Sequence, residues 1–256
     1  MSDILFSSGL IEPRSTPVIC DGVDEAKARM SAIIARQFGN RRGISVLEAG
    51  GGSLSRVDLD DDAVVTVIDI SREQLERNTY AAHKILGDLH TEKLPARGYD
   101  LIICWDVLEH LDDPALVFAN FLNAIKPGGL IVVAAPNPNS LSGMITKFTP
   151  HWFHVLVLRH LFKLTMAGQP GYPPFPTFMR YSMYPEQLRR VAISESGDAT
   201  ALIYYESSRR AALRRKSPFV GRLYDLTIAA CRIASFGRIR LELSDYIFLV
   251  SPTGQR

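Results

Sequence analysis

Cysteine is scarce. Only Cys20, Cys104 and Cys231 occur in 256 residues, far apart and with no CxxC pair. That argues against a disulfide framework or a zinc site and fits a reducing compartment. No run of 18 uncharged apolar residues exists, so no transmembrane helix is expected. The opening MSDILFSSGLIEPRS has no basic region followed by a long apolar stretch, which weighs against a secretory leader. There is no internal repeat and no low-complexity tract. A cytoplasmic protein is the expectation. Acid is missing locally too: Asn137 to Arg180 holds four basic residues and no Asp or Glu.

What is present suffices for one sizeable core. Hydrophobic residues make up 46% and charged residues 22%, with a formal net charge of +2. A single domain spanning 1–256 is expected. The small net charge hides an asymmetry. Between Ser207 and Arg240 stand nine Lys/Arg and one acid, Asp225, so this segment carries +8 and the remainder sums to −6.

The hydrophobic pattern alternates between two periods. Asp24–Phe38 places Ala26, Met30, Ile33, Ile34 and Phe38 at helical spacing after an irregular start broken by Pro13 and Pro17. Strands are predicted at 44–49, 63–69, 83–88, 99–106 and 130–136. Helices are predicted at 71–82, capped by Ser71, and at 114–125, opened by Pro114 and stopped by KPGG. A helix at 184–197, a strand at 198–208, an amphipathic helix within 217–240 and a closing strand at 241–252 follow. Strands alternating with helices predict a parallel, doubly wound α/β sheet. One link is thin: ten residues, rich in Asp, lie between Gly52 and Ala63, too few for a full helix. A shortened or irregular first crossover is predicted.

The stretch VLEAGGGSLSRVDL (46–59) raises the functional question. Three successive glycines at the end of a strand let a ligand approach the backbone. Asp69 ends the next strand, 19 residues beyond Gly50, where a carboxylate can accept from both ribose hydroxyls. These features alone suit an NAD-binding and an S-adenosylmethionine-binding sheet equally, and a tight turn needing only glycine is the plainer alternative.

The longer series VLEAGGG, VIDIS, GDLH, YDLIICWDVLEHLDDP and LNAIKPGGLIVVAAP, in that order, resembles the class I S-adenosylmethionine-dependent methyltransferases over residues 44–136. The resemblance implies a Rossmann-like methyltransferase fold with a mostly parallel seven-stranded sheet. Its core would cover 40–136 and 184–252. A lid insertion (137–183) would follow the fifth strand, and a basic helical insertion (207–240) would separate the last two strands. It also implies site roles. Glu48, Gly50, Gly51 and Gly52 would line the methionine end of the cofactor. Asp69, with Ile70 beside it, would bind the ribose. Asp88 and the backbone at Leu89 would hold the adenine, and Cys104 and Trp105 would lie beside the sulfonium and amino-acid part. Leu54 stands where the family pattern places a third glycine, so the loop after the first strand is expected to be locally rebuilt.

His110, just past the fourth strand, is the candidate base or substrate contact, because an imidazole titrates near neutrality; a histidine capping the turn is the other reading. Asp106, Glu109 and His110 match loosely a run with which some family members bind a divalent metal. Two carboxylates and one imidazole leave that set incomplete, and no metal is expected. His151 and His154 are i, i+3 neighbours. With Tyr172 and Arg180 they are the candidate substrate contacts of the lid, against a reading as packing with Trp152 and Phe153.

These features lead to an O-methyltransferase acting on a sugar, a lipid-linked glycan or another small hydroxyl acceptor. The basic insertion 207–240 reads as an interfacial element attracted to anionic lipid, peripheral at the inner membrane face. A solvated basic face packing an apolar stripe on the domain is the competing reading. Nucleic acid is the weaker partner: phosphate binding would suit the charge, but no (D/N)PP(Y/F)-type motif is present. A non-catalytic protein that binds S-adenosylmethionine is a further alternative. The oligomeric state is not readable.

Overall fold

The computed structural model describes residues 16–39, 41–169, 172, 174–196 and 200–252. The irregular start expected through Pro13 lies outside these residues. The chain runs β1 (Val18–Cys20), α1 (Val23–Phe38), β2 (Ser45–Ala49), β3 (Val64–Asp69), α2 (Arg72–Arg77), β4 (His83–Leu86), β5 (Tyr99–Trp105), α3 (Pro114–Ala124) and β6 (Ile125–Pro136). Then follow α4 (Leu141–Phe148), α5 (His151–His160), α6 (Pro185–Ser196), β7 (Thr200–Tyr205), α7 (Arg209–Lys216), α8 (Pro218–Ala234) and β8 (Asp245–Val250).

The strands form one sheet in the order β1-β7-β8-β6-β5-β2-β3-β4. All pairings are parallel except those of β8, which runs antiparallel to both β6 and β7. The sheet has eight strands, where seven were expected. The extra one is β1, which Pro17 does not prevent: Val18 pairs with Ile203 at the sheet edge. Proline is tolerated beside an edge strand, where one N–H can go unpaired.

Strand parity divides the core into two. Leu47, Ile102, Cys104, Ile131, Tyr246 and Phe248 pack with α3 and α6 on one face. Val46, Leu101, Ile103, Val132, Ile247 and Leu249 pack with α1 on the other. Successive strand side chains point to opposite faces, so strands buried on both sides read as unbroken apolar runs. β5 and β6 are such strands.

One helical expectation is corrected. Helix α2 stops at Arg77 instead of continuing to Ala82. Buried Asn78 ends it: its Oδ1 accepts from the N–H groups of Tyr80 and Ala81, and its Nδ2 donates to the Gly52 carbonyl at 2.8 Å. A side chain that satisfies the backbone this way competes with the helix. Between β2 and β3 no helix forms at all among the described residues, as the short spacing predicted. The strand order reverses at the neighbouring pair β2 and β5, whose carboxyl ends therefore flank the crevice where open α/β sheets bind ligands.

Candidate active site

The three glycines stand at the carboxyl end of β2, and each has a separate geometric reason. Gly50 has φ +69° and its N–H donates to the Ile68 carbonyl at 2.7 Å; a Cβ there would run into the Val107 side chain. A Cβ on Gly51 would meet the Glu48 Cβ at 2.8 Å and its Oε2 at 2.9 Å. Gly52 has φ +55°, and its N–H donates to Asp69 Oδ2 at 3.0 Å. The first and third need the left-handed backbone, which side chains disfavour, and the first two need the missing Cβ.

Glu48 is buried, with both carboxyl oxygens engaged. The Ser55 hydroxyl donates to Oε1 and the Tyr80 hydroxyl to Oε2. Burial raises its pKa, and those two donors oppose the rise. Ser55, Asn78 and Tyr80 thus rebuild the wall where the helix of the first crossover is missing. Sequence reasoning did not find them. The signal available was the polar SLS and RNTY flanking the thin link.

At the neighbouring strand ends, Asp69 Oδ1 accepts the Ser71 N–H at 2.8 Å. Ile70 is 77% exposed on the crevice rim, a position that apolar surface occupies at a cost unless it is covered. Asp88 accepts from both the backbone N–H and Nδ1 of His90, which lower its pKa. His90 Nε2 in turn accepts the Asp113 N–H at 3.2 Å, so Nδ1 carries the proton. Leu89 is buried next to this pair.

Cys104 needs correction. Its thiol is fully buried in the α3-side core, where burial pushes its pKa up, so its side chain does not face the crevice. Trp105 has the opposite parity, turning toward α1 with Lys27 Nζ 5.5 Å from its ring centroid.

Past β5 the chain turns sharply. Asp106 adopts φ +55°, an uncommon conformation for a residue with a side chain, and its N–H donates to the Ala134 carbonyl at 2.8 Å. A 3-10 turn, Leu108–His110, follows. Residues 175–180 are fastened to it. The Glu109 carbonyl accepts the Phe178 N–H at 2.8 Å, Phe175 meets the His110 ring edge-on, and Arg180 pairs with Asp112. His110 Nδ1 lies 2.6 Å from the Pro176 carbonyl. A carbonyl only accepts, so Nδ1 holds the proton and Nε2 is left as an acceptor. Burial lowers the His110 pKa, which keeps the ring neutral.

Glu109 is the residue whose setting the sequence disguised. It is buried, its Oε2 has no hydrogen-bond partner, and burial followed by the Asp106 carboxylate raises its pKa to about 8. Asp106 is raised by burial too, with Arg209 opposing. Arg56, Arg209 and Asp245 act on this group from the first crossover, from α7 and from β8.

The candidate substrate contacts of 137–183 divide. His151 and His154 stack edge-on at the start of α5, and His151 is near enough to His110 to act on its charge. His154 Nε2 meets the Thr149 hydroxyl at 2.7 Å. Tyr172 instead lies against Arg77 at the end of α2, at 5.8 Å, and Arg180 is held by Asp112 and the Phe178 ring. The structure therefore does not gather the four into one cluster.

Comparison with known proteins matches this arrangement to one family. The methyltransferase domain family covers residues 24–169, more than half of the chain. The ubiquinone biosynthesis O-methyltransferase of Coxiella burnetii (strain Dugway 5J108-111) is 26% identical over 178 residues, which are 64% of this chain and 69% of that one. The enzyme of the same name from Vibrio atlanticus is 28% identical over 135 residues, 49% of this chain and 53% of that one. The chain thus spans little more than half to about two thirds of these relatives' lengths. A SAM-dependent methyltransferase from Archaeoglobus fulgidus shares the fold, with a TM-score of 0.50 at 17% identity, over 88% of this chain and 92% of that one. The chain belongs to the methyltransferase domain family and has the class I, S-adenosylmethionine-dependent form of its fold.

Proposed function

We propose that the protein transfers a methyl group from S-adenosylmethionine to a hydroxyl of a small-molecule acceptor, with His110 as the base. The observation that carries this reading is the His110 tautomer: Nδ1–H is held by the Pro176 carbonyl, and Nε2 is the lone pair available at the carboxyl end of β5.

The crevice fits the cofactor. Gly50–Gly52 bring the backbone to the carboxyl end of β2 in a path that side chains at the first two would block, with Glu48 near the end of β2, Asp69 at the end of β3 and Asp88 just past β4. Glu48 and the glycine backbone would hold the amino-acid part, Asp69 the ribose, and Asp88 with Leu89 the adenine, beside exposed Ile70. Trp105 contributes from the opposite wall, and Cys104 only through its backbone. When bound, the sulfonium supplies an already activated methyl group, so alignment provides much of the acceleration. The chain's own part is to place the acceptor oxygen near His110 Nε2, take its proton and exclude water with the lid segment 175–180.

The acceptor is the finer part of the proposal. The curated relatives are named for O-methylation in ubiquinone biosynthesis, which favours a hydroxyl on a largely apolar molecule. A sugar or lipid-linked glycan hydroxyl remains the class suggested by the charged insertions. The test is turnover of S-adenosylmethionine with three acceptor pools: hydroxylated aromatics, free sugars and lipid-linked sugars. Transfer to one pool that vanishes in His110→Asn supports the reading. Cofactor binding without transfer to any pool overturns it in favour of a non-catalytic binding protein.

A further inference from the structure

Helix α8 is held from one side only. Gly221 and Ile228 are its buried residues, and Gly221 crosses α7 so closely that a Cβ would meet the Arg214 Cα at 2.8 Å. Asp225, on the same side, accepts from Arg210 Nε and Arg214 Nε, each at 2.6 Å. Tyr224 lies against Ser142 near the start of α4. The position of α8 is therefore fixed.

Its other face has nothing upon it among the described residues. Phe219, Leu223, Leu226 and Ile233 follow one another by four, three and seven residues, so they form one stripe. They are 81, 57, 60 and 76% exposed, and Phe236 just beyond the helix is 92% exposed. A contiguous apolar stripe of this kind marks an interaction surface. Its flanks are all of one sign. Arg215, Lys216, Arg222 and Arg238 form no ion pair among the described residues, and the sole acid of 207–240, Asp225, is turned to the opposite side and occupied.

We propose that this face of α8 docks on an anionic lipid bilayer, with the stripe in the headgroup–acyl boundary and the flanking cations among lipid phosphates. Two other occupants fit less well. A second copy would bring two wholly basic flanks together, and like charges repel. A nucleic acid would pair with the arginines but leave Phe219, Leu226 and Ile233 in water. An amphipathic helix with basic flanks at an anionic membrane satisfies both components at once. The proposal does not rest on His110 or on the acceptor's identity.

The test is flotation of the full chain with phosphatidylcholine vesicles, with or without phosphatidylglycerol. The wild type should float with the anionic vesicles and be released by raised salt. Leu226→Asp and Ile233→Asp should each weaken this by about tenfold or more, since each puts an acid into the boundary. Their thermal response to S-adenosylmethionine should stay unchanged, which shows that the fold is intact. Three results overturn the proposal: no flotation with either vesicle, undiminished flotation of both variants, or a wild-type dimer in solution that Leu226→Asp converts to monomer. Methyl transfer to a soluble acceptor is a separate measurement, so loss of one reading leaves the other standing.

Discussion

The Tyr80 hydroxyl donates to the Glu48 carboxylate, joining the segment after α2 to the end of β2 across 32 positions of sequence. The donor comes from a stretch that leaves its helix early, and the acceptor is buried beneath the second glycine. This bond orients the acid on which the proposed amino-acid subsite depends.

Removing it with Tyr80→Phe should weaken S-adenosylmethionine binding by about tenfold to a hundredfold, because a buried carboxylate that loses a donor forfeits roughly 1.5–3 kcal/mol. Titration calorimetry with the cofactor measures this. Equal affinity in the variant would remove Glu48 from the subsite.

Gly50→Ala should lower the unfolding midpoint by several degrees, as about 1 kcal/mol shifts Tm by roughly 2–4 °C in a chain of this size. Its two causes are separable: φ +69° and contact with Val107. Adding Val107→Ala relieves only the contact, so the double variant should recover part of the loss. No recovery would assign the whole effect to the backbone.

His110→Asn should reduce kcat by about a hundredfold or more, the usual scale for a lost general base. In the wild type, the acid limb of the rate profile should lie below the ordinary histidine range near 6.5, because burial lowers the His110 pKa and the neutral ring is the active form. A limb above that range would contradict the assignment.

Glu109 makes a prediction about stability. Its folded pKa of about 8 exceeds an unfolded value of about 4.3, so the folded state binds more protons between these limits. Its contribution is fully present below the unfolded value and is lost as pH rises toward 8. Denaturant midpoints should therefore fall less steeply with pH, over that window, in Glu109→Gln than in the wild type. Parallel curves would show that Glu109 is ionised in the folded protein throughout.

The sheet was legible because its central strands are apolar on both faces and its helices carry one apolar stripe. The positions of Asp69 and the glycines at strand ends were legible because a change from an apolar run to glycine or acid leaves a local signature. Other features depend on contacts distant in sequence. The RNTYAA run is compatible with a helix, yet Asn78 leaves it for the Gly52 carbonyl. Three-residue β1 finds its partner at Ile203. Glu109 looks like an exposed acid at a helix start until the chain folds over it. Cys104 was misread for a simpler reason: its parity with Ile102 already directs it into the core.

The Pro176 carbonyl gives residues 175–180 a role besides packing. One of the contacts that hold residues 175–180 to the 3-10 turn is also the one that fixes the His110 proton on Nδ1. The path of the chain at 175–180 and the choice of imidazole nitrogen are thus set by one and the same carbonyl.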